Sequence, residues 1–173
     1  MDRIYPPPHI KIRIKGEKFM KKLFCFALVI VSVFCLCSCN KEQGKTPATA
    51  DVAAVISDST EFTELIALTK DNIGSRYYGI DLDAIEEYEV LVCSSAAAPD
   101  EIAVFKMKDK EDVEDMLDVV RERKQELYDR FVDYRPNEIN KINNAVIGSN
   151  GNYVYFVVSG DNSAAKKAAE GCF

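Results

Sequence analysis

Between Glu111 and Phe131 the apolar residues Val113, Met116, Leu117, Val120, Leu127 and Phe131, with the stem of Lys124, recur every three or four positions. That interval places them on one stripe of an α-helix. Asp109 stands where a cap belongs, and Glu111 and Asp112 fall in the first turn, where the helix dipole favours negative charge. Pro136 restricts the residue before it, so the spacing predicts a helix from Asp109 that ends at or before Arg135. A long helix with one apolar stripe needs a second apolar layer to lie on. The rest of the chain therefore has to provide that layer.

Four segments are suited to it. Tyr88–Cys93 (YEVLVC) and Ile102–Met107 (IAVFKM) are rich in β-branched and aromatic residues, with Ala96–Asp100 as a loop between them; they read as paired strands. Ala145–Ile147 and Tyr153–Val158 (YVYFVV) flank Ser149-Asn150-Gly151-Asn152. Asn-Gly between apolar runs predicts a two-residue hairpin turn. Centred there, the turn sets Ile147 opposite Val154 and Ala145 opposite Phe156 on one face, with Val146 and Tyr155 on the other. Phe62, Leu65, Ile66 and Leu68 recur near helical spacing, which predicts a further helix over Glu61–Asn72 capped by Ser59 or Thr60. The fold class expected is α+β: two layers, with a mostly antiparallel sheet of about four strands packed on the long helix and an additional N-terminal helix beside it. The tail from Ser159 (SGDNSAAKKAAEGCF) carries too little apolar surface for firm docking.

The N-terminal part follows different rules. Lys21 and Lys22 precede an uncharged run of 14 residues, Leu23–Leu36. A membrane-spanning helix needs about 20 apolar residues, whereas the core of a secretory signal takes about 7 to 15. The run ends in Leu36-Cys37-Ser38-Cys39, which resembles the lipobox of bacterial lipoproteins. The resemblance implies cleavage between Ser38 and Cys39 and a lipid on the Cys39 thiol. Two acyl chains, at about 0.8 kcal/mol per buried methylene, hold a protein at a bilayer far more firmly than one short chain. The alternative is a plain signal in which cysteines serve as small apolar filler, the role expected of Cys25, Cys35 and Cys37. Residues 1–19 contain Pro6-Pro7-Pro8 and mixed charge, which do not suit a signal, and Met20 is expected as the true start. The domain organisation expected is a lipoprotein signal over 1–38, a lipidated, flexible tether over 39–58 and one globular domain over 59–173.

Composition then excludes several function classes. Residues 1–38 hold seven of the 22 Lys and Arg and two of the 28 Asp and Glu, so the part from Cys39 has 15 basic against 26 acidic side chains, a net charge of −11. Such a chain repels the phosphates that dominate nucleic-acid binding. The single histidine is His9, so the part from Cys39 has no histidine for a Ser-His-Asp or Cys-His pair or for the usual zinc hydrolase ligands. No cofactor and no metal is expected. Ser163-Ala164-Ala165-Lys166 matches an S-x-x-K nucleophile motif without its companion motifs. Asp81-Leu82-Asp83 begins like a calcium loop but has Glu86 and Val92 where Gly and Glu are required. Asp112, Glu114, Asp115 and Asp118 read as a solvated helix face, with a weak divalent-cation site as the alternative.

The order of elements resembles a known family. Tyr78-Gly79-Ile80-Asp81, EIAVFKMKD, RERKQELYDRF, DYRPNE, a NAV strand and GNYVYFVVS occur in that sequence, similar to the bacterial lipoprotein family catalogued as domain of unknown function 4358. The family implies no activity, substrate or catalytic residue.

The functional expectation is a membrane-anchored lipoprotein outside the cytoplasm whose domain binds an envelope protein or a small ligand and is not an enzyme. The competing class is a small envelope enzyme using carboxylate or Ser/Lys chemistry without histidine. The surface expected to make contacts comprises Tyr153 and Tyr155, if one sheet face is uncovered, and Tyr134 with Arg135, whose guanidinium beside Pro136 can fork onto a carboxylate.

Overall fold

The computed structural model describes residues 46–173. The expectations for Ser38, Cys39 and the start at Met20 lie outside them. The chain forms helix α1 (Thr49–Ser57), strand β1 (Leu65–Ala67), helix α2 (Lys70–Arg76), strands β2 (Ile85–Cys93) and β3 (Glu101–Met107), helices α3 (Val113–Phe131) and α4 (Ile139–Asn143), strands β4 (Val146–Asn150) and β5 (Tyr153–Val158), and helix α5 (Asn162–Glu170). Single 3₁₀ turns at Lys110–Asp112 and Pro136–Glu138 lead into α3 and α4. The five strands form one sheet in the order β1-β2-β3-β5-β4, every pair antiparallel. Among these residues no helix is long and apolar enough to cross a membrane.

The α+β class and the long helix on an antiparallel sheet are as the sequence indicates. Three segments differ in detail, and the β4–β5 hairpin differs in register. The segment read as a helix over Glu61–Asn72 holds the fifth strand, β1, which pairs Leu65 with Cys93 and Ala67 with Leu91; the helix begins only at Lys70. The expected tether ends early, because α1 buries Val52, Ala53 and Ile56. The tail also docks, through α5. Asp161 caps that helix by accepting the Ser163 and Ala164 amides, both at 3.0 Å. Asn162 ties it down further, accepting from the Ser159 amide and donating to the Lys141 carbonyl.

These additions give the sheet two covered faces instead of one. On one side Val90, Ala103, Phe105, Val154 and Phe156 meet α3, with Ile73 of α2 and Ile142 of α4 beside them. On the other, Ile102, Val104, Tyr153, Tyr155 and Val157 meet α1 and α5. Alternate residues of β3 and β5 enter opposite cores, as the pleat requires. Ile102–Phe105 of β3 and the whole of β5 are therefore continuously apolar, the composition of strands covered on both faces.

The β4–β5 hairpin turns one residue later than expected. Asn150 pairs with Tyr153 and Ile147 with Phe156, so the turn residues are Gly151 and Asn152, with positive φ at Gly151 alone (59°). The cause lies in β3. The Asn152 carbonyl accepts the Met107 amide at 2.8 Å and its side-chain amide donates to the Met107 carbonyl at 2.6 Å, which extends the β3–β5 ladder by one step. Pairing shifts by two residues, so each side chain keeps its expected face.

Candidate functional site

Arg123 lies on the buried stripe of α3, three residues after Val120 and four before Leu127, and is 2% exposed. Glu101, the first residue of β3, is equally buried and faces it. Arg123 Nη2 donates to Glu101 Oε2 at 2.7 Å and Nε to Oε1 at 3.1 Å, a two-point fork. The Tyr77 hydroxyl donates to Oε1 at 2.5 Å, and the Tyr77 ring stands edge-on to Phe105 with centroids 5.3 Å apart. Burial, then the charge and hydrogen bond of Glu101, raises the Tyr77 pKa well above its usual value. Burial works to lower that of Arg123, but the Glu101 charge and hydrogen bonds outweigh it and the net shift is upward.

Glu101 and Arg123 of this network form the floor of a cleft of about 150 Å³ between the β2–β3 loop and the C-terminal half of α3. Arg76, at the end of α2, and Arg130, two helical turns beyond Arg123, line it, together with Ile66, Val92, Leu127 and Phe131. Burial, followed by the charges of Arg123 and Arg76, lowers the Arg130 pKa, so the three guanidinium groups feel one another. Among the described residues neither Arg76 nor Arg130 has an ion-pair partner. The second carboxylate at the cleft, Asp100, is already occupied. It accepts the Thr63 amide at 2.8 Å and the Thr63 hydroxyl, and pairs with Lys141 at 3.1 Å.

The residues expected to make contacts are not brought together. Tyr153 and Tyr155 are core: they are 3% and 5% exposed, beneath α1 and α5. The Tyr153 hydroxyl donates to the Pro47 carbonyl at 2.8 Å, and Phe173 packs against both rings. The condition for an open tyrosine face, helices on one side only, is not met. Tyr134 and Arg135 are exposed on the turn after α3, the guanidinium 5.8 Å from the centre of the neighbouring ring. Of the motifs set aside, Lys166 lies 3.8 Å from Glu170, and Asp81 accepts the Asp83 amide within its own turn.

The spacing alone puts Lys124 on the stripe and does not single out Arg123 or Arg130. A signal was present: Arg123, Leu127 and Arg130 are spaced four and three apart, hence on one helical face. Lys124 instead reaches out to the Asn143 carbonyl at 2.8 Å.

No curated protein and no solved structure matches the chain. A family model does, over residues 58–159, a span that takes in all five strands, α2, α3 and α4, and with them each arginine and carboxylate of the cleft. Over more than half its length, then, the chain belongs to the family described as domain of unknown function (DUF4358).

Proposed function

We propose that the chain is a lipoprotein, held by lipid on Cys39 at the outer side of a cell membrane, whose domain binds a ligand or an envelope partner without turning it over. The anchor rests on the signal-sized apolar run and the lipobox-like Leu36–Cys39. The high acidic charge from Cys39 onward agrees with a soluble domain that stands off the bilayer. The observation that carries the binding reading is the state of the two carboxylates in the cleft. Glu101 is held by Arg123 and Tyr77, Asp100 by Thr63 and Lys141. Acid–base catalysis needs a carboxylate within reach of a substrate proton, and here both are engaged by the protein itself, while Arg76 and Arg130 remain to attract a ligand. Metabolic labelling with a palmitate analogue tests the anchor. The wild type takes up the tag, and Cys39→Ala abolishes it and leaves unprocessed precursor. Labelling that survives the substitution sinks the lipoprotein reading.

A further inference from the structure

We infer that the cleft bounded by Arg76, Arg130 and the β2–β3 loop binds the carboxylate of a small monoanionic acid with an apolar stem, an inference that deepens the binding role proposed above. The charges that face it decide the class. Arg123 is spent on Glu101, and Lys141 on Asp100 and Glu138. Glu126, outside the lining, lies 3.3 Å from Arg123 and is 43% exposed. The lining carries three guanidinium groups, Arg76, Arg123 and Arg130, against two carboxylates, Asp100 and Glu101, a surplus of a single positive charge. A carboxylate cancels it, whereas a phosphate monoester, with a charge of about −1.5 to −2, leaves negative charge in a cleft that already holds Glu101 and Asp100. Guanidinium groups suit this ligand geometrically, since their planar fork matches the two oxygens of a carboxylate. The Arg123–Glu101 pair on the cleft floor is an example of that match.

The rest of the lining sets the stem. Ile66, Val92, Leu127 and Phe131 offer apolar surface beside the arginines. A cavity of about 150 Å³ accommodates a molecule of roughly six heavy atoms, the size of a four-carbon acid. The cleft opens at the β2–β3 loop, where Ser94, Ser95 and Ala96 are exposed, so the ligand enters from solvent.

The test uses the full chain in detergent and follows backbone amide shifts while butyrate, butyramide, ethyl phosphate and a short peptide with a free C-terminus are titrated. Saturable shifts are expected from butyrate at the β2–β3 loop and the end of α3. Arg76→Gln and Arg130→Gln each weaken binding by about tenfold or more, as the loss of a charge-assisted fork predicts, and Arg121→Gln, on the outer face of α3 where it pairs with Glu114 and Asp118, leaves it unchanged. Butyramide and ethyl phosphate bind at least tenfold more weakly than butyrate. The peptide separates the two sources of the group: binding stronger than butyrate identifies the acid as a chain terminus, and weaker binding identifies a free small acid. The assignment is overturned if butyrate gives no saturable shift, if both glutamine variants bind it as the wild type does, or if ethyl phosphate binds better. Any of those results leaves the labelling of Cys39, and with it the anchor, untouched.

Discussion

A bidentate arginine–glutamate pair with both partners 2% exposed is costly to bury and costly to break. Two charges removed from water recover their hydration only when geometry is good and the remaining donors and acceptors are satisfied. Here Tyr77 supplies the third hydrogen bond to Glu101, and Glu126 takes one more from Arg123. Removing one partner strands a charge in the core, so Arg123→Met is expected to destabilise the domain by about 3–5 kcal/mol. Replacing the whole set, with Arg123→Met, Glu101→Leu and Tyr77→Phe together, strands nothing and recovers much of that loss. Urea unfolding of the two variants checks both values, and a single variant within about 1 kcal/mol of wild type removes the pair from the account of the core. The network was only half legible in the sequence. The stripe of α3 was evident from its spacing, but Lys124 and Arg123 both border it, and Glu101, the residue whose position selects Arg123, lies 22 residues away in sequence.

Elements are legible in the sequence where local spacing decides them and obscure where pairing does. Helix α3 and strand β5 are spelled out by the repeat of their apolar residues. Strand β1 is three residues long, defined by its bonds to β2 and by Asp100 holding Thr63, and the intervals of Phe62, Leu65, Ile66 and Leu68 around it imitate helical spacing. The β4–β5 hairpin shows the same division: its existence follows from Asn150-Gly151, while its turn is set by Asn152 reaching Met107 on a different strand. One position in this hairpin has no freedom at all. Gly148 stands directly opposite Tyr155, whose ring occupies the place where a Cβ would go. That ring is itself enclosed, stacked on Phe173 at 6.2 Å. Gly148→Ala is therefore expected to cost about 1–3 kcal/mol through overpacking, and adding Tyr155→Leu to make room lessens the penalty. Thermal melts of the two variants check this; an alanine variant as stable as wild type shows that the ring moves aside freely.

At the scale of the molecule, the sheet needs more chain than the family's common segment provides. The matched residues, 58–159, include every strand but neither α1 nor α5, and those two helices cover the face formed by Ile102, Val104, Tyr153, Tyr155 and Val157. The second layer is hard to read in the sequence because its two helices come from short segments: an alanine-rich stretch after a polar linker, and a tail whose only deeply buried helical residues are Ala165 and Ala169. The signal lay in the strands instead, since IAVFKM and YVYFVV have too little alternation for a sheet with one wet face. Small residues in α5 let it approach the sheet closely, so a helix of little apolar surface still shields large side chains. Each of those five side chains contributes about 1.5–3 kcal/mol when buried, a total comparable to the whole stability of a small domain, about 5–15 kcal/mol. A chain trimmed to residues 58–159 is therefore expected not to fold as a monomer, whereas residues 46–173 melt cooperatively. Circular dichroism melts and binding of a hydrophobic dye, measured on both at equal concentration, decide the matter: equal melting temperatures and no excess dye binding by the shorter chain would show that α1 and α5 are dispensable and that the second core contributes little.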